Sequence, residues 1–135
     1  MPRALAPIAV VALLLAACNR PRWDTPVDAY LSFARAVQKG EFDVAYGGLS
    51  EATRGAMAAR AKEISQASGG AVRDDPVALF FVEAARAPQV TEVKLAKLEG
   101  TAAVVSASAD GQSQQVRMVR EQGGWHLDVP EVTGH

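Results

Sequence analysis

The dipeptide Asp110-Gly111 constrains this chain more than any other feature. Asp-Gly between alternating apolar residues is the strongest short-range signal for a two-residue hairpin turn. It lies within residues 91–129, where side-chain character changes with a period of two. Thr91, Val93 and Leu95 alternate with Glu92, Lys94 and Ala96. Ala103, Val105, Ala107 and Ala109 alternate with Val104, Ser106 and Ser108. Gln114, Val116 and Met118 follow, and Trp125, Leu127 and Val129 alternate with His126 and Asp128. Gly100 and Glu121-Gln122-Gly123-Gly124 supply two further turns. Four strands joined by three short turns predict an antiparallel meander.

The turns also predict a register. A two-residue turn at Asp110-Gly111 pairs Val105 with Val116 and Ala103 with Met118. A four-residue turn over residues 121–124 pairs Met118 with Leu127 and Val116 with Val129. A three-residue turn ending in Gly100 pairs Val93 with Val105 and Leu95 with Ala103. All three put the same alternation on one face, and a one-residue slip would invert it. One face then carries the row Val93, Val105, Val116 and Val129. The other carries Lys94, Ser106, Gln115, Arg117, His126 and Asp128.

The residues before the meander have helical spacing. Thr25-Pro26-Val27-Asp28 is a start signal: Thr25 caps, Pro26 fits the first turn and Asp28 complements the dipole. Val27, Tyr30, Leu31, Ala34 and Val37 mark one face as far as Gly40. A short segment from Phe42 to Tyr46 stops at Gly47-Gly48. Ser50 caps a second long helix, whose thin apolar path runs through Ala52, Ala56, Met57, Arg60, Ile64 and Ala67 before Ser68-Gly69-Gly70. Residues 71–75 read as a loop. Asp75-Pro76 opens another helix carrying Val77, Leu79, Phe80, Phe81 and Ala84, stopped by Pro88. Helices packed on one face of a four-stranded antiparallel meander give an α+β domain over residues 25–135.

Three stretches resemble the nuclear transport factor 2-like superfamily. Val27-Asp28-Ala29-Tyr30 continuing to Gly40-Glu41-Phe42-Asp43-Val44-Ala45-Tyr46 looks like its opening pair of helices. Leu49-Ser50-Glu51-Ala52-Thr53-Arg54 is similar to a turn in its small bacterial lipoprotein members. Gly123-Gly124-Trp125-His126-Leu127-Asp128 is similar to their closing strand. Residues 55–86 match no part of that pattern. The resemblance implies a cone-like α+β fold with a pocket between helices and sheet. Some members are ketosteroid isomerases, and many lipoprotein members have no assigned activity, so fold analogy does not settle function.

The first eighteen residues have the form of a processing signal. Arg3 supplies a positive start, and Ala4 to Leu15 form an uncharged apolar run. As a helix that run rises only about 18 Å, short of the roughly 30 Å hydrocarbon core of a bilayer. The length suits the apolar region of a signal peptide. Leu15-Ala16-Ala17-Cys18 resembles the lipobox of bacterial lipoproteins. That resemblance implies a signal peptide over residues 1–17, cleavage before Cys18, acylation of its thiol and usually of the new amino terminus. Cys18 is also the chain's single cysteine, so no internal disulfide competes for it. Two or three acyl chains anchor stably where one is marginal. Asn19 stands where an Asp often signals inner-membrane retention, so the expected address is the periplasmic leaflet of the outer membrane. Residues 18–24 form a short tether. Arg20 and Arg22 suit anionic lipid phosphates, and Trp23 suits either the membrane interface or the domain's own core.

Charge and residue types exclude several functions. The 135-residue chain loses one basic residue with the leader, leaving 13 basic and 15 acidic side chains, a net of −2. Nothing there offsets a phosphate backbone, so nucleic acid is not an expected partner. Proton-transfer enzymes need an ionisable group inside the pocket, tuned by burial. The inward strand positions, Thr91 through Val129, offer none. In the isomerases a first-helix Tyr precedes the glycine by about seven residues; here Phe33 holds that place and Tyr30 lies a turn earlier. Tyr30 and Tyr46 therefore read as amphipathic core. His126 and Asp128 share a face but lack further metal ligands, and read as solvated. Gly69-Gly70 lacks the Lys and Thr of a phosphate loop, and no Ser has a nucleophile-elbow context. Arg54, Arg60, Lys62, Arg73 and Arg86 read as solvated charge. Trp125, opposite Arg120, reads as the largest core residue rather than a ligand platform.

The sequence thus leads to a lipid-anchored envelope protein with Cys18 as its lipidation site and no catalytic, metal or cofactor site. The domain is expected to be a non-enzymatic binding or accessory module engaging an envelope protein. The alternatives are a carrier of a small apolar ligand between helices and sheet, and an enzyme of the ketosteroid isomerase type.

Overall fold

The computed structural model describes residues 20–82 and 89–133. Helices α1 (Pro26–Gln38), α2 (Phe42–Gly47), α3 (Glu51–Ala67) and α4 (Pro76–Phe80) precede strands β1 (Glu92–Glu99), β2 (Ala102–Ala109), β3 (Gln112–Glu121) and β4 (Gly124–Asp128), and a short helix α5 (Pro130–Thr133) follows. The strands form one antiparallel sheet in the order β1-β2-β3-β4. None of the described helices is long and apolar enough to cross a membrane.

The central hairpin has the expected register: Val105 opposes Val116 and Ala103 opposes Met118. Asp110 and Gly111 both take positive φ, 51° and 76°, as a primed two-residue turn requires. Met118 also opposes Leu127 as expected, although the turn is tighter, with Glu121 directly opposite Gly124. Three expected pairings, Val116–Val129, Val93–Val105 and Leu95–Ala103, do not form. β4 ends at Asp128, and the Val129 N–H donates to Thr53 Oγ1 instead of closing a pair with Val116. The β1–β2 register is shifted by two residues: Val93 opposes Ala107 and Leu95 opposes Val105. The loop there is Gly100-Thr101, with Glu99 opposite Ala102. A bulge between Leu95 and Lys97 then turns Lys97 outward and brings Leu98 opposite Ala103. A bulge inserts one unpaired residue and so resets the alternation.

The covered face is the expected one, except that Thr91, Leu95 and Gln114, expected to point inward, are exposed at the sheet's edge and strand ends. Ala103, Val105, Met118, Trp125 and Leu127 are buried there against Ala29 and Leu49, and Ala107 is buried too. α1 lies across this face, touching β1, β2 and β4. Its deepest positions are Pro26, Ala29, Ser32 and Ala36 rather than the larger apolar residues of its sequence pattern. Small side chains allow close approach, while Val27, Tyr30 and Phe33 flank the contact and pack on the core from its margins. Phe81 joins Ala36 and Ala45 in a second cluster with Phe33, Phe42 and Phe80 around it.

On α3 the buried stripe is Thr53, Met57 and Ala61, spaced by one helical turn; Ala52, Arg60 and Ala67 are exposed. α4 stops at Phe80, before the expected end; Ala84 and Pro88 lie outside the described residues. β1 is a sheet edge, and it carries Glu92–Lys94 and Lys97–Glu99 pairs at 3.3 and 3.2 Å. Charges and a bulge on an edge strand discourage pairing with another chain.

Candidate functional site

The richest concentration of polar side chains among the described residues lies where α3 begins and β4 ends. Gly48, Leu49 and Ser50 run beside β4. The Leu127 N–H donates to the Gly48 carbonyl at 2.8 Å, and the Ser50 N–H donates to the Leu127 carbonyl at 2.7 Å. This is a one-residue parallel bridge between Leu49 and Leu127. It sets Ser50 Oγ 2.8 Å from Asp128 Oδ1 and 2.9 Å from Thr53 Oγ1. Ser50 has one hydroxyl proton, and the ionised carboxylate is the stronger acceptor. The Thr53 hydroxyl then donates to Ser50 Oγ, which also accepts from the Thr53 N–H at 3.1 Å as the cap of α3. Thr53 Oγ1 in turn accepts from the Val129 N–H at 2.9 Å. Arg117 Nε stands 3.5 Å from the other Asp128 oxygen.

This chain of hydrogen bonds runs from the β4 backbone through two hydroxyls to one carboxylate. Every proton in it is committed to a structural acceptor. Ser50 and Thr53 are both buried. The cluster is a joint pinning α3 to the end of the sheet. It corrects the reading of Asp128 as a solvated residue, since that side chain is only 16% exposed. Ser50→Ala should remove a helix cap and strip a buried bond from Asp128, at a combined cost of about 2–3 kcal/mol. Urea unfolding checks this against Ser113→Ala, whose exposed hydroxyl meets only Ser108. Equal midpoints for the two variants would contradict the joint.

A second junction adjoins the first. The Trp125 N–H donates to the Trp23 carbonyl at 2.8 Å. One residue earlier, the Arg22 N–H donates to Ser32 Oγ at 2.8 Å, and that hydroxyl donates back to the Arg22 carbonyl at 3.0 Å. The Trp23 indole lies parallel to the His126 ring, with centroids 6.3 Å apart. A Cβ on Gly48 would fall 2.7 Å from that indole, and one on Gly124 would fall 2.8 Å from Trp23 Cβ. The two glycines therefore make a seat that only a bare backbone fits. Trp23 is folded onto the domain, and together with residues 48–50 it covers the β4 edge. Arg20 and Arg22 remain exposed.

Trp125 is 5% exposed at the centre of the core. Tyr30 packs on that core, and burial raises its phenol above its ordinary pKa. Tyr46 donates its hydroxyl to the Arg54 carbonyl at 3.1 Å. Burial pushes its pKa up too, partly offset by the Arg54 charge. Arg60, Lys62 and Arg73 are exposed as expected. Arg54 is half-buried, and its Nε, like His126 Nδ1, is buried without a partner. Among the described residues no three His, Cys, Asp or Glu side chains gather as metal ligands would. Cys18 and Arg86 lie outside the described residues.

Sequence reasoning missed an apolar cleft. It has a volume of about 390 Å³ and lies between α3, α4 and the loop joining them, and none of its lining residues belongs to the core cluster around Trp125. The signal available was Val72, the one large apolar residue in the loop Ser68-Gly69-Gly70-Ala71-Val72-Arg73-Asp74-Asp75. No protein-family model, curated protein or solved structure matches this chain.

Proposed function

We propose that this chain is a bacterial lipoprotein held in the cell envelope by acyl chains on Cys18, with a nuclear transport factor 2-like domain serving as a non-enzymatic binding or accessory module. The observation carrying the reading is Leu15-Ala16-Ala17-Cys18 directly after an uncharged apolar run. The periplasmic leaflet of the outer membrane is the proposed address, from Asn19. Membrane lipid is the first partner, through Cys18.

The hold on Arg22 fits this reading. Three residues separate Cys18 from Arg22, at most about 14 Å of extended chain. A domain gripped at Arg22 and Trp23 then rides against the bilayer surface with a restricted orientation. The superfamily assignment draws support from the two motif stretches, residues 49–54 and 123–128, which meet in one structural joint. A non-enzymatic role draws support from the same joint, because its hydroxyls and carboxylate are consumed in holding the fold.

Cys18→Ala should abolish acylation and leave uncleaved precursor. Intact-mass measurement on membrane fractions checks this. Normal maturation and membrane attachment of the variant would overturn the anchor.

A further inference from the structure

We infer that the cleft between α3 and α4 is a binding site for a single-chain zwitterionic amphiphile, a lysophospholipid whose head carries both phosphate and ammonium. The inference deepens the binding-module reading and rests on it, but not on the acylation of Cys18. Ile64 from α3, Leu79 from α4, and Val72 and Val82 from the flanking turns form apolar walls. The volume of about 390 Å³ falls within the roughly 300–1,000 Å³ of small-molecule sites. Val72 and Val82 are exposed apolar residues, and burying them is what an acyl chain in the cleft would accomplish.

The lining contains one charge of each sign. Arg73 has no ion pair or hydrogen bond among the described residues, which leaves its guanidinium available to a phosphate. Asp75 accepts from the Ala78 N–H at 3.0 Å through one oxygen, which fixes the carboxylate and leaves its other oxygen for an ammonium. A simple fatty acid would leave Asp75 without a counter-charge, and an alkylammonium would leave Arg73 without one. A head bearing both charges satisfies both side chains. The chain supplies most of the affinity, because exposed charge pairs each change binding only about two- to fivefold.

The test uses membranes from cells making the full chain. The probe is a lysophosphatidylethanolamine with a diazirine near the end of its acyl chain. After irradiation, adducts should concentrate on the tryptic peptides 63–73 and 74–86, at Ile64, Val72 or Leu79. Val72→Asp should lower them at least about fivefold while leaving the melting temperature unchanged, since Val72 is half exposed. Matched probes with an alkyl phosphate or an alkylammonium head should label about two- to fivefold less. Adducts spread over residues 92–128, or unmoved by Val72→Asp, would overturn the site. Equal labelling by all three heads would overturn the zwitterionic assignment. Intact mass from the same membranes reports Cys18 acylation separately. Cleft labelling without acylation sinks the anchor alone, and acylation without cleft labelling sinks this site alone.

Discussion

Val105→Asp should leave no folded domain. Val105 is fully buried in the second strand of the sheet, opposite Leu95 on one side and Val116 on the other. An aspartate there loses the transfer energy of a valine side chain, about 1.5–3 kcal/mol. It also brings a carboxylate into a site with no partner, which costs several kcal/mol more or forces protonation. A domain of this size has about 5–15 kcal/mol to lose. Val116→Asp should cost less, because Val116 is only half-buried. Gln115→Asp, exposed on the opposite face beside Ser106, should change stability by no more than about 0.5 kcal/mol. Thermal melts followed by circular dichroism rank the three. If Val105→Asp melted within about 5 °C of Gln115→Asp, less than the effect of roughly 1 kcal/mol, the face assignment would be wrong. Arg117 is unsuited as the neutral control, since an aspartate there would face Asp128.

The sheet was readable where local chemistry dictates backbone geometry. Asp110-Gly111 demands positive φ twice, and that fixes the β2–β3 register without help from the core. The first hairpin was misread because Gly100 fits either a two- or a three-residue turn. The corrective signal was present: Val93 and Leu95 are two apart, but Leu95 and Leu98 are three apart. A step from two to three within a strand is what a bulge looks like in sequence. In α3 the buried stripe was hidden by alanines on every side and by Thr53, a polar residue buried because its hydroxyl serves the joint. Ser50 was identified as a helix cap, but its bond to Asp128, 78 positions away, has no local signature. Composition could not decide whether Trp23 belonged to the membrane interface or the domain. The two double glycines held a clue: Gly123 has φ of 87°, as its turn requires, whereas neither Gly48 nor Gly124 takes positive φ. A glycine that its backbone conformation does not require is often making room, here for an indole.

Trp125→Ala should destabilise the domain by about 3–5 kcal/mol. The indole is the largest side chain of the main core, packed among Ala29, Leu49, Met118 and Leu127. Its removal leaves a void in a core whose other members, Ala29 and Leu49 among them, are already fully buried and close-packed. A chain with a ligand pocket under Trp125 would behave differently: truncation would remove little packing and would weaken only binding. Fluorescence separates the two cases without knowledge of any ligand. The chain has two tryptophans, and Trp23→Phe leaves Trp125 as the single emitter while keeping an aromatic ring on the Gly48–Gly124 seat. Its emission should be blue-shifted and resistant to acrylamide. The reciprocal variant, Trp125→Phe, reports Trp23, which is half-buried and should be quenched more readily. Red-shifted, easily quenched emission from Trp125 would mean that the space under the sheet is open, as a carrier of an apolar ligand there would require.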